Sequence, residues 1–247
     1  MRGVMFRFSA FNKISSKKPP TCSVVIVAAG SSQRCKGEDK LFYQIDGKSV
    51  LAYTIEAFEN SELISEIIIV TREDKFEQVG AVCKRGDYKK VTKIMGGGST
   101  RTDSVINGVF AVSGKAKLVA IHDGARPCVD TKLIDRTILK AAKCNAAAPA
   151  VKISPTVKMV QGGVINETVD RESLYEIQTP QIFRAEIIKA ALTNVVKKSI
   201  TVTDDCQAAE IIGVAVHIVE GSPSNIKITN PEDLIFAEAI LRSEGKQ

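Results

Sequence analysis

From Cys22 onward, short runs of β-branched residues alternate with longer segments of helical period. The runs Ser23 to Ala29, Glu66 to Val70, Val91 to Met95, Leu118 to His122, Ala148 to Ile153 and Val214 to Val219 predict strands, because apolar residues there stand side by side within turn-forming neighbours. Ser49 to Asn60 and Thr131 to Cys144 repeat their apolar residues every three or four positions and predict helices. Strands alternating with helices imply an α/β fold: a doubly wound, mainly parallel sheet covered on both faces.

The period changes between Ile153 and Gln178. Two alternating segments, Thr156 to Val160 and Val164 to Val169, flank Gly162-Gly163, which predicts a β-hairpin arm over about residues 153–177. Near the end, Pro231 to Ser243 predicts a helix capped by Asn230, with Pro231 at its first position and Glu232 and Asp233 in its first turn.

Length and composition narrow the class. At 247 residues, with 44% hydrophobic and 25% charged positions, the chain suits a single large domain over residues 21–247. No apolar run approaches the roughly 20 residues of a membrane span. The net charge is +6, but Arg2, Arg7, Lys13, Lys17 and Lys18 precede residue 20 with no acid among them, so the body is close to neutral. That balance, with aromatics at only 5%, argues against a nucleic-acid face. Residues 1–20 lack the continuous apolar core of a secretory signal and read as a basic, disordered extension. The six cysteines are scattered without metal-ligand spacing, as expected of reduced thiols in a cytoplasmic chain.

Three motifs carry candidate chemistry. In doubly wound sheets ligands bind beyond the carboxyl ends of the strands. There the first strand gives Ala28-Ala29-Gly30-Ser31-Ser32-Gln33-Arg34, then Asp39-Lys40. The loop matches neither a dinucleotide fingerprint nor a Walker A loop. Its small residues let backbone N–H groups approach a polyphosphate, and Arg34 and Lys40 can neutralise it. Gly96-Gly97-Gly98 opens a helix through Asp103 and Ser104, either of which could cap it or touch a ligand. Asp123 ends an apolar strand in Ile121-His122-Asp123-Gly124-Ala125-Arg126-Pro127, where a hard carboxylate oxygen suits Mg2+.

Taken in order, AAGSSQR with its following DK, GGGSTRTDSV, IHDGARP, VDRESLYEIQTPQ, TDD and EGSPSNIKITNPEDL resemble the 2-C-methyl-D-erythritol 4-phosphate cytidylyltransferases from about Ser23 to Leu241. The resemblance implies a Rossmann-like nucleotidyltransferase sheet, with CTP and methylerythritol phosphate as substrates and Mg2+ as cofactor. It assigns Arg34 and Lys40 to the triphosphate in the transition state. Ala28, Ala29, Gly30, Gly98 and Ser104 go to the nucleotide, and Asp123 to the ribose and metal. Arg171 and Lys227 hold the acceptor phosphate, with Arg126, Thr156 and Thr179 in the acceptor site. It further implies a homodimer in which the arm carries Arg171 into the partner's site. Three features depart from the family pattern: Ser31-Ser32 replaces a common Gly-x-Gly, Asp39-Lys40-Leu41 stands for a common Pro-Lys-Gln, and Pro155 stands where an Asp commonly precedes the threonine. Two alternatives fit much of the same pattern, transfer to another polyol phosphate such as ribitol 5-phosphate, and nucleotide binding without turnover.

Overall fold

The densest β-branched runs form the centre of an eight-stranded sheet in a computed structural model that describes residues 21–30, 39–243 and 245. β1 (Cys22–Ala28) lies between β4 (Ile64–Thr71) and β6 (Leu118–Asp123), parallel to both. β5 (Val91–Gly96) extends the sheet beyond β4, again in parallel. On the other side, β11 (Gln181–Arg184) runs antiparallel between β6 and β7 (Ala146–Lys152). β10 (Tyr175–Ile177) and β12 (His217–Glu220) both pair with β7, antiparallel and parallel respectively.

Alternation along the central strands builds two cores at once. Val24 and Ile26 of β1, with Ile67 and Ile69 of β4, face α1 (Val50–Glu59), α2 (Phe76–Gly86), α4 (Thr131–Cys144) and α7 (Pro231–Ser243). Val25, Ile68 and Val70 face the opposite layer of α3 (Arg101–Ala111), α5 (Ala185–Lys197) and α6 (Asp205–Ile211). A strand buried on both faces reads as an unbroken apolar run, which is why these strands are plain in the sequence.

Local chemistry sets the boundaries. α1 is capped by Ser49, and α4 by Asp130, whose carboxylate accepts the Leu133 N–H at 2.7 Å. α7 starts as its sequence predicts, with the Asn230 side chain accepting the Asp233 N–H at 3.0 Å. β2 (Gln44–Ile45) and β3 (Lys48–Ser49) form a small hairpin whose turn residues Asp46 and Gly47 both have positive φ. The arm is the expected hairpin, β8 (Val157–Gln161) and β9 (Val164–Val169), turning at Gly162-Gly163 with φ of 57° and 80°. The expected basic extension at residues 1–20 lies outside the described residues.

One strand end buries an imidazole. His122 of β6 is fully buried against the Phe58 ring, with centroids 4.8 Å apart. Its Nε2 faces the Arg126 carbonyl at 3.4 Å, so Nε2 is the N–H position and Nδ1 accepts from the Thr179 hydroxyl at 3.0 Å. The Thr179 oxygen in turn accepts the Asp123 N–H at 3.2 Å. Burial, ahead of the neighbouring charges, pushes the His122 pKa down to about 3.

A base whose pKa falls on folding takes up its proton first in the unfolded chain. Its stabilising effect is therefore complete above about pH 6.5 and declines as pH drops toward 3. We expect His122→Gln to flatten the pH dependence of unfolding free energy between pH 6.5 and 4, by up to about 1.4 kcal/mol per pH unit. Urea denaturation at several pH values reads this directly. Equal slopes in the two proteins would rule the assignment out.

Candidate active site

The carboxyl ends of β1 and β6 open into a cavity of about 610 Å3. Ala28, Ala29 and Gly30 form one wall, where β1 ends. Gly98, Arg101 and Ser104 form a second, Asp123 a third, and Lys40 and Lys227 reach in from their own segments. Eight residues singled out in the sequence thus line one cavity: Ala28, Ala29, Gly30, Lys40, Gly98, Ser104, Asp123 and Lys227.

The glycine loop has a steric reason. A Cβ on Gly97 would lie 2.6 Å from the Ala29 Cβ and 2.8 Å from the Ser104 Oγ, and one on Gly98 would overlap Asp103. Only glycine lets this loop lie against the end of β1. At the start of α3, Asp103 does take part in the cap, as the reciprocal member of a capping box, and Ser104 does not. Thr100 is the N-cap and its side chain accepts the Asp103 N–H, while Asp103 returns a carboxylate to the Thr100 N–H at 3.0 Å. Ser104 is thereby free for the loop: its hydroxyl accepts the Gly98 N–H at 3.1 Å.

Electrostatics centre on Asp123. The Lys227 ammonium lies 2.9 Å from its carboxylate, Arg101 3.4 Å and Arg126 3.6 Å. Burial pushes this carboxyl up, but Lys227, Arg101 and Arg126 outweigh it and hold it well below the usual carboxylate range. Arg101 also reaches Asp205 at 2.9 Å. Asp205 is fully buried, and burial raises its carboxyl despite that partner. Lys40 extends from its turn to the Ile228 carbonyl at 2.6 Å. Among the described residues, Lys40, Arg101 and Lys227 thus border the cavity against a single lining carboxylate. Such an excess of cations suits a multiply charged anion.

The remaining predicted residues sit elsewhere. Arg126 is buried behind the cavity wall, donating to the Asn225 carbonyl at 2.6 Å. Thr179 is buried under Asp123, as described above. Thr156 and Arg171 are exposed on the arm, where the Arg171 guanidinium donates to the Ser154 carbonyl. Arg34 lies outside the described residues. Among the described residues no group of three or more His, Cys, Asp or Glu side chains gathers to hold a metal. Asp123 alone suits Mg2+, which takes one or two carboxylates and leaves its other positions to substrate phosphates and water.

Sequence reasoning passed over Arg101 and Asp205, although both lie within quoted motifs. Their pairing is organised by Gln181 of β11, whose Oε1 accepts the N–H groups of Asp205 and Cys206 at 3.0 Å each. Its Nε2 donates to Asp204 at 2.8 Å.

Comparison with known proteins agrees with this geometry. The family model described as IspD, 2-C-methyl-D-erythritol 4-phosphate cytidylyltransferase, matches residues 22–243. A relative of that name from Halalkalibacterium halodurans is 41% identical over 226 residues, covering 91% of this chain and 99% of its own. One from Clostridium botulinum strain Okra is 43% identical over 221 residues, covering 89% and 96%. A 4-diphosphocytidyl-2C-methyl-D-erythritol synthase from Anaerococcus prevotii superposes with a TM-score of 0.81 at 33% identity, over 91% of this chain and 97% of its own. The Thermus thermophilus cytidylyltransferase gives 0.75 at 30% identity, over 90% and 99%. Since these matches run from the first strand of the sheet to its last helix and take in every wall of the cavity, the chain belongs to the 2-C-methyl-D-erythritol 4-phosphate cytidylyltransferase family.

Proposed function

We propose that this chain transfers CMP from CTP to 2-C-methyl-D-erythritol 4-phosphate, releasing pyrophosphate, as a cytoplasmic enzyme of isoprenoid precursor synthesis. The observation that carries the reading is the cavity at the ends of β1 and β6, which Lys40 and Lys227 both line together with Asp123. A phosphate monoester oxygen of the acceptor attacks the α-phosphorus of CTP, and the bond to the β-phosphate oxygen breaks. The nucleophile is largely dianionic at neutral pH, since its second pKa is near 6, so no side chain has to remove a proton. What the protein supplies is alignment and positive charge.

The backbone of Ala28, Ala29, Gly30 and Gly98, with the Ser104 hydroxyl, holds the nucleotide. Arg34 and Lys40 stabilise the triphosphate as charge moves toward pyrophosphate. Lys227 and Arg171 hold the acceptor phosphate in line, with Arg126, Thr156 and Thr179 on the acceptor side. Asp123 stays ionised and steadies Lys227 at 2.9 Å, and it is the carboxylate that would hold Mg2+ against the triphosphate. Bound there, Mg2+ would supply charge neutralisation to the phosphoryl oxygens.

A homodimer belongs to this reading. Arg171 does not line the cavity of its own chain, and Met159, Val160, Val164 and Ile165 of the arm are each more than half exposed. An apolar ridge of that kind suits a protein partner. Burial raises the Cys22 and Cys206 thiols well above their ordinary range, which supports a chain whose cysteines stay reduced.

Pyrophosphate release tests the proposal. Purified protein with CTP and Mg2+ should release pyrophosphate with methylerythritol phosphate and not with ribitol 5-phosphate; the reverse preference would move the acceptor to the other polyol, and release with neither would sink the reading. Lys40→Ala should lower kcat/KM by about 10²–10³-fold, the cost of losing one charge-stabilising donor, with little change in Tm. Subunit mixing tests the arm. Lys40→Ala and Arg171→Ala homodimers should each be nearly inactive, and their statistical mixture should regain about a quarter of wild-type turnover, because half the dimers then carry one intact composite site. No recovery on mixing would place Arg171 in its own subunit's site.

A further inference from the structure

A second cavity lies on the far side of the segment that carries Lys40. It encloses about 300 Å3 between α1, α2 and the β2–β3 hairpin, the lower end of the range for small-molecule sites. Phe42, Ala52, Val82 and Tyr88 give it apolar walls, and Lys48, Glu56 and Arg85 are the charged residues that line it. The Lys48 ammonium is already paired with Glu56 at 2.5 Å. Arg85 makes no hydrogen bond or ion pair among the described residues. The cavity therefore offers an apolar body and one uncommitted guanidinium, a group that favours phosphate or carboxylate.

The two cavities share one short stretch of chain. Lys40 and Leu41 line the nucleotide cavity, and Phe42 lines the second. The stretch is pinned to both helices. The Leu51 N–H of α1 donates to the Leu41 carbonyl at 2.9 Å. Ahead of α2, Arg72 and Lys75 lie 3.5 and 4.0 Å from the Asp39 carboxylate, and the Lys75 ammonium also sits over the Phe42 ring at 5.5 Å. A molecule filling the space between Phe42 and α2 touches the elements that fix where Lys40 points.

We propose that this second cavity binds a small amphipathic anion, an apolar body bearing one phosphate or carboxylate, and that its occupancy changes the affinity of the neighbouring site for CTP. The binding half stands on the cavity alone; the coupling half rests on the assignment of Lys40 to the triphosphate. Coupling between two sites is reciprocal, so either ligand reports it.

Benzyl phosphate is the probe, titrated calorimetrically into the full chain with and without saturating CTP. Binding should persist in saturating CTP, and benzyl alcohol and inorganic phosphate should each bind at least about tenfold more weakly, a difference of about 1.4 kcal/mol. Ala81 also lines the cavity, and both Ala81 and Arg85 are exposed on α2, so Ala81→Trp and Arg85→Glu should fold and melt as the parent does. Each should weaken benzyl phosphate about tenfold or more while leaving the CTP Kd of the otherwise empty protein unchanged. In the parent, saturating benzyl phosphate should shift the CTP Kd at least about fivefold, the lower end of ordinary coupling energies. Abolition of binding by CTP, or equal affinity in both variants, would overturn the site; an unshifted CTP Kd would overturn the coupling. A chain that binds benzyl phosphate but not CTP would uphold the site and count instead against the proposed transferase.

Discussion

The carboxylate of Asp123 holds the functional end of this molecule together. Placed at the tip of a buried parallel strand, it would be costly to ionise alone, and a lysine and two arginines from three separate segments gather around it. Each cation is in turn tied elsewhere. Arg101 reaches Asp205 at the start of α6, Arg126 reaches the Asn225 carbonyl, and Lys227 belongs to the stretch whose Ile228 N–H pairs with the Ala125 carbonyl. One charge thereby fixes the relative positions of the glycine loop, the β6 turn and the segment before α7. Removing Arg101 would leave the buried Asp205 carboxylate without its ion pair and Asp123 with two of its three cations.

Beneath that cluster the protein keeps its polar groups neutral or matched. His122 stays unprotonated and accepts from Thr179, whose hydroxyl oxygen links it to the Asp123 backbone. At the opposite end of the sheet Glu66 is buried but accepts from the Ser23 hydroxyl at 2.6 Å and the Ser113 N–H at 2.9 Å. Buried carboxylates are thus matched at both ends of the sheet, by hydrogen bonds at Glu66 and by cations at Asp123.

Much of the fold was legible, and the pattern of misses has physical reasons. β1, β4 and β6 announce themselves because burial on both faces demands unbroken β-branched runs. α4 and α7 match their predicted spans because Asp130 and Asn230 cap them. β7 begins at Ala146, two residues before its sequence suggests, since an alanine run has little intrinsic strand preference and only tertiary pairing extends it. β12 begins at His217 because Val214 and Val216 pack on the core without joining the ladder. β11 spans four residues and escaped notice, yet it supplies Gln181. At the site, residues whose role depends on type and loop position were readable: small residues at a strand end, a terminal Asp, lysines nearby. The bridge from Arg101 to Asp205 was not, because it joins positions 104 residues apart and no local spacing encodes it.

The division of β1 and β4 between two cores also bears on how this chain can vary. Adding or deleting one residue within either strand would exchange its two faces and bury the wrong side chains in both helical layers simultaneously. Length changes must therefore accumulate where strands have ended, in the loops above the cavity and in the arm. The scaffold leaves its freedom to vary at the same edge where the cavity opens.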